Sequence, residues 1–130
     1  TSLAAKNGWI ILEAVLKFQK GDAEAIRGRM EELKMQRVTK QPLDLPSAGS
    51  TFKRPEGYFA GKLIMDAGHR GFTVGGAQIS EKHCGFVVNK GGATAEDVRN
   101  LICAVQKKVQ EDAGVKLEPE VKFLGEFHSF

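Results

Sequence analysis

The chain has 130 residues, enough for about one domain with a sizeable core. Its net charge of +3 (19 Lys and Arg against 16 Asp and Glu) is too mild to imply a nucleic-acid partner. No apolar stretch, Trp9 to Leu12 included, is long enough to span a bilayer, and no cationic region precedes a long apolar one as in a signal peptide. Two cysteines, Cys84 and Cys103, are too few for a disulfide framework, so a reduced, cytosolic setting is expected.

Trp9 to Phe18 reads as a strand, with Ile10, Leu12, Ala14, Leu16 and Phe18 on one face and Glu13 and Lys17 among those on the other. Gly21-Asp22 ends it, and Asp22 is a good N-cap for a helix whose Ile26, Met30 and Leu33 make one apolar stripe. Gly28 within that helix costs about 1 kcal/mol relative to alanine, so the helix needs tertiary support. The segment from Val38 to Pro55 is polar and punctuated by prolines. A short helix is expected over Tyr58 to Ala67, with Gly68 at its C-terminal end.

Phe72 to Ile79 is Gly-rich but strand-like, and Gly85 to Asn89 reads as a second short strand. Gly91-Gly92 turns the chain into the clearest helix. There Thr94 and Asp97 resemble a capping box, Val98, Leu101, Ile102, Val105 and Val109 form the apolar face, and Gly114 closes it. Cys103 falls near that face and is expected in the core. A last strand is expected from about Glu120 to Gly125. This order of elements predicts an α+β domain preceded by the tail of another.

The most informative run is Pro46 to Glu56, PSAGSTFKRPE. Pro46 and Pro55 exclude a helix interior, Gly49 allows close approach or a positive φ, and Ser50 presents a hydroxyl beside it. Lys53 and Arg54 suit phosphate or carboxylate oxygens, although an ordinary basic surface turn would look the same. Between positions 53 and 83 lie Lys53, Arg54, Lys62, Arg70 and Lys82 against Glu56, Asp66 and Glu81, with His69 and His83 in the same stretch. That excess favours a small anionic ligand.

Other chemistry is disfavoured. No dinucleotide-binding glycine fingerprint follows a strand, and Glu56 and Leu63 stand where a phosphate loop would need Gly and Ser or Thr. His69, His83, Cys84, Cys103 and His128 lack metal-site spacing. Ser50 has no nucleophile elbow around it.

The segments PSAGSTFKRP, GYFAGKLIMDAG, GFTVGGAQISEKHCGFVVNKGGATAEDV and LEPEVKFLGE, in that order, resemble the C-terminal region of the UDP-N-acetylenolpyruvoylglucosamine reductase (MurB) family, of its shorter, type II kind. The resemblance covers essentially the whole chain. It implies an α+β fold, with a small mixed sheet and flanking helices forming a substrate-binding domain over residues 47–130. Residues 1–46 would be the βα tail of an FAD-binding domain.

It also implies a bacterial, cytoplasmic flavoenzyme of peptidoglycan precursor synthesis. NADPH reduces FAD, a hydride reaches C3 of the enolpyruvyl group of UDP-N-acetylglucosamine enolpyruvate, and protonation at C2 gives UDP-N-acetylmuramate. Ser50 matches the serine that donates this proton, and Glu120 the glutamate at the substrate carboxylate. Serine is a weak acid, so Lys53 or another nearby cation is expected to stabilise its developing alkoxide.

Arg54, Lys53, Lys82 and His83 are candidates for the diphosphate and sugar, and Gly49, Gly76 and Gln78 for the flavin side. The family's Tyr-Arg pair and its main FAD-binding domains have no counterpart here, Thr1-Ser2 resembling the end of the Tyr-Arg pattern. A fragment inactive alone is therefore expected, with Trp9, Ile10 and Ile11 as a patch for self-association. A stand-alone UDP-sugar or polyanion module without redox activity is the alternative, and an RNA-binding domain lacks an aromatic-rich strand motif.

Overall fold

The computed structural model describes residues 8–127, so Thr1-Ser2 and His128 lie outside the described residues. The chain divides into two compact units, one up to Leu33 and one from Lys34 onward. In the first, Asp22 caps helix α1 (Ala23–Lys40) as expected, its Oδ1 accepting from the Ala25 N–H at 2.7 Å. The stripe of Ile26, Met30 and Leu33 is present but exposed, and no residue of α1 is buried.

Trp9 to Phe18 does not form the expected strand. A strand exists only when its N–H and C=O groups find a partner ladder, and no described strand pairs with this segment. Its apolar side chains remain exposed, Leu12 at 93%.

The second unit is built on four short strands. They are β1 (Ser47–Ser50), β2 (Thr73–Val74), β3 (Ala77–Ile79) and β4 (Phe86–Asn89), in the spatial order β1-β4-β3-β2. Two helices accompany them, α2 (Ala60–Asp66) and α3 (Ala95–Ala113). The architecture is α+β, as expected, but the sheet is antiparallel at every pairing rather than mixed. The connections explain two of the three pairings. Gly75-Gly76 joins β2 to β3 as a tight hairpin, with Val74 opposite Ala77, and residues 80–85 join β3 to β4; neither could carry a parallel crossover. The strand-like run from Phe72 to Ile79 is thus a hairpin, with Gly75 at φ +53° in the turn.

α3 forms because its ends are specified locally. The Asp97 N–H donates to Thr94 Oγ1 at 3.0 Å and the Thr94 N–H donates to Asp97 Oδ2 at 2.9 Å, a complete capping box. Gly114 ends the helix in the left-handed conformation. Leu101, Ile102, Val105 and Val109 are fully buried against Ala77 and Ile79 of β3, Ile64 of α2, and Leu117. Truncating any of these large side chains to alanine costs about 2–5 kcal/mol. Cys103 points away from this core and is exposed, whereas Cys84 is buried. The helical period separates it from its buried neighbours Leu101 and Ile102.

No strand forms over Glu120 to Gly125. A single antiparallel bridge, Phe52 to Pro119, stands in its place. The Lys53 N–H donates to Glu118 O and the Glu120 N–H to Thr51 O, each at 2.8 Å, and the ladder goes no further. Pro119 has no N–H, and the residues beyond find no partner strand.

Candidate functional site

Ser50 ends β1 opposite Phe86, next to an irregular register that begins at Ser47. Gly49 sits in that irregularity at φ +89°, a conformation L side chains rarely adopt. The turn delivers Ser50 to the mouth of a cavity of about 420 Å³. Arg54, Lys62, Arg70, Lys82 and His83 also line it, with Phe52, Phe59, Met65 and Cys84 giving apolar wall. The Ser50 hydroxyl donates to Phe52 O at 3.3 Å, a long bond that leaves it available to a ligand.

Each cation is held differently. The Arg54 guanidinium lies 4.2 Å from the centroid of the Phe59 ring, a cation–π contact that orients its planar fork at the cavity rim. Lys62 pairs with Asp66 at 2.8 Å, one turn along α2. Arg70 reaches the Met65 sulfur at 3.1 Å, and Lys82 donates to Val38 O at 2.7 Å. Neither of those two bonds neutralises the charge, so Arg70 and Lys82 keep their full attraction for an anion.

His83 is fixed by its own loop. The Gly85 N–H donates to His83 Nδ1 at 3.0 Å, which makes Nδ1 the acceptor and puts the proton of the neutral ring on Nε2. The ring meets Phe86 edge-on at 4.9 Å. Gly85 leaves room for this ring, since a Cβ on it would lie 2.9 Å from His83 Cε1 and force the ring to shift. The hydroxyl of buried Ser80 accepts from the N–H groups of Lys82 and His83 at 3.2 and 3.3 Å, shaping the turn that presents both side chains.

The structure therefore brings Ser50, Arg54, Lys82 and His83 around one cavity. Lys53 is not among the residues lining it. Its ammonium pairs with Glu118 at 2.8 Å on an exposed rim. The hydrogen bond and the charge of Glu118 hold the Lys53 ammonium above the ordinary lysine range, and Lys53 in turn holds the Glu118 carboxyl below the ordinary carboxylate range. Glu120 is exposed and lies outside the cavity lining, and its backbone N–H is tied to Thr51, the residue after Ser50.

Gly49 also lies outside the lining, with open space where a Cβ would be. Gly76 and Gln78 are committed within the sheet unit. The Gly76 carbonyl accepts from the Lys90 N–H at 2.9 Å, and a Cβ there would meet Ala93 N and Gly91 O at 2.5 Å. Gln78 Nε2 donates to Gly71 O at 3.1 Å and Thr73 Oγ1 at 3.2 Å. Lys62, Arg70, Phe59 and Met65 were not singled out as site residues from the sequence. The cationic excess between positions 53 and 83 was the signal for the first two; the apolar pair had none.

Among the described residues no group of three or more His, Cys, Asp or Glu could hold a metal ion, and no helix is long and apolar enough to cross a membrane.

Residues 41–124 match the family model described as UDP-N-acetylenolpyruvoylglucosamine reductase, C-terminal domain. The chain is 60% identical over 126 residues to a UDP-N-acetylenolpyruvoylglucosamine reductase of Lachnoclostridium phytofermentans, covering 97% of this chain and 41% of the relative. It is 61% identical over 126 residues to that of Agathobacter rectalis, covering 97% of this chain and 40% of the relative. A crystal structure of the Thermus caldophilus UDP-N-acetylenolpyruvylglucosamine reductase superposes with a TM-score of 0.66 at 39% identity, over 82% of this chain and 37% of that one. The chain thus spans about two fifths of the length of the curated relatives it matches.

Proposed function

The chain belongs to the family of UDP-N-acetylenolpyruvoylglucosamine reductase C-terminal domains, and from that premise we propose that it is the substrate-binding part of such a reductase. The full enzyme would be a cytoplasmic bacterial oxidoreductase of peptidoglycan precursor synthesis, with UDP-N-acetylglucosamine enolpyruvate as substrate. We take residues 47–130 as the substrate domain and 1–46 as the tail of an FAD-binding domain. The observation that carries the reading is the meeting of Ser50 with Arg54, Lys82 and His83 on one cavity, within a family whose name specifies an anionic nucleotide-sugar substrate.

FAD and NADPH would supply the hydride. The flavin would be held mainly by the family's FAD-binding domains, with Gly49, Gly76 and Gln78 proposed on its near side. This chain's own share is binding and the proton. Arg54, Arg70 and Lys82 offer charge-assisted hydrogen bonds to the diphosphate, and His83 Nε2–H offers a donor to its oxygens or to the sugar. Phe59 and Met65 supply apolar wall on one side of the cavity.

The Ser50 hydroxyl delivers a proton to C2 as negative charge develops on the substrate, and the serine is later reprotonated from solvent. We assign stabilisation of the transient alkoxide to the cations on the cavity wall rather than to the Glu118-paired Lys53. Glu120 acts at the substrate carboxylate, on a segment tied to the Ser50 strand through Thr51.

In the full-length reductase, Ser50→Ala is expected to leave flavin reduction by NADPH unchanged. Reoxidation of the flavin by the enolpyruvyl nucleotide should slow by at least about a hundredfold, the usual share of a positioned proton donor. Stopped-flow absorbance of the flavin separates the two half-reactions. Equal loss in both would make Ser50 structural and overturn its role as donor.

A further inference from the structure

Resting on the reductase reading above, we infer that Glu118 is a positioning residue that holds the Lys53 ammonium opposite itself and so keeps that cation off the Glu120 carboxyl. The geometry comes from the single bridge between Phe52 and Pro119. With Lys53 N–H bonded to Glu118 O and Glu120 N–H bonded to Thr51 O, Lys53 stands directly across from Glu118, and Thr51 directly across from Glu120. Glu120 is then the diagonal neighbour of Lys53, within reach of so long a side chain. Two carboxylates flanking Pro119 therefore compete for one ammonium, and the direct neighbour takes it, at 2.8 Å. Glu120 is near enough that its charge also raises the Lys53 pKa, behind the hydrogen bond and charge of Glu118.

The consequence concerns the site. A lysine clamped on Glu120 would fill the oxygens that have to meet the substrate and would pull the side chain outward to the rim. Glu118 prevents this by offering Lys53 a closer partner. A purely structural purpose fits poorly, because exposed ion pairs contribute little to stability, and both side chains of this pair are about half-exposed or more (48% and 66%). The backbone bridge already fixes the register without the pair.

The experiment compares parent, Glu118→Asp, Glu118→Gln and the double variant Glu118→Gln/Lys53→Gln in the full-length reductase. In each, stopped-flow follows reoxidation of reduced flavin by the enolpyruvyl nucleotide across substrate concentrations. Glu118→Gln frees Lys53 to pair with Glu120. The saturating rate should fall about fivefold, the factor carried by one modest ion pair, with half-saturation within about twofold of the parent. Flavin reduction by NADPH should be unchanged. Glu118→Asp keeps the carboxylate and should keep most of the rate, and the double variant should recover it because no cation is left to capture Glu120. A Glu118→Gln protein as fast as the parent, or a double variant as slow as the single one, overturns the inference and leaves the reductase reading standing. A parent unable to reoxidise its flavin with this substrate overturns the reductase reading itself.

Discussion

Thr51 does at the scale of one residue what the neighbouring serine cannot do for itself. It is buried at 2% exposure, its N–H donates to Gly85 O at 2.8 Å, and its hydroxyl oxygen accepts from the Val87 N–H at 3.0 Å. Its carbonyl accepts from Glu120. One side chain and its peptide groups thus tie the serine strand to β4, to the His83 loop and to the 118–120 segment. Thr51→Val keeps the shape but leaves a buried N–H without an acceptor. It should lower unfolding stability by about 1–3 kcal/mol in urea titration, while Thr51→Ser should stay close to the parent. The partners of the two adjacent cations are decided at this scale too. A basic run does not say which of Lys53 and Arg54 faces a ligand, but successive side chains on extended chain point to opposite sides. One meets Glu118 and the other stacks on Phe59 at the cavity.

At the scale of elements, α3 was legible in the sequence because everything that specifies it is local. Its apolar residues recur at helical spacing, Thr94 and Asp97 cap one end and Gly114 the other. Thr94→Ala should cost about 1 kcal/mol of stability, read from the denaturation midpoint. The box also makes a pH prediction. Hydrogen bonds from the Thr94 backbone and side chain hold the Asp97 carboxyl below its ordinary value of 3.8. A folded pKa that is depressed gives stability present above the unfolded value and lost as pH falls through the folded one. The Asp97 contribution is therefore intact at neutral pH and is lost progressively as the pH falls from about 3.8 through the lower folded value, and Asp97→Asn should flatten this part of the acid limb. The predicted strands at Trp9 to Phe18 and Glu120 to Gly125 failed for the opposite reason. Alternating or β-favouring side chains state a preference, but a strand is completed only by a partner, and neither segment has one among the described residues.

At the scale of the whole molecule the exposed apolar surface stands out. Trp9, Ile10, Ile11, Leu12, Val15, Leu16 and Phe18 are all exposed in the first unit, together with Ile26, Met30 and Leu33 of α1. So many exposed apolar side chains favour association with another surface. The 130-residue chain expressed by itself should self-associate, with a sedimentation-equilibrium mass that rises with protein concentration. Serine at positions 9, 11 and 12 should return it toward the monomer, and a parent mass independent of concentration would remove the patch as an association site. The cavity belongs to this scale as well. Its residues come from the end of β1, the proline-bounded run after it, α2, and the loop between β3 and β4, drawn together by the antiparallel sheet and the α3 core.

By itself the sequence determined what depends on neighbours along the chain: the capped helix, the glycine turns, the α+β class and the motifs that mark the family. It also located the cationic excess between positions 53 and 83. Tertiary structure alone decided which of those cations face the cavity, that the sheet is antiparallel throughout, and that Cys103 is exposed while Cys84 is buried. It decided too that Lys53 answers to Glu118. The reason is physical. Caps and turns are short-range hydrogen-bonding problems solved within a few residues, whereas the side a charge faces and the partner it takes depend on segments brought together across the chain, here positions 53 and 118.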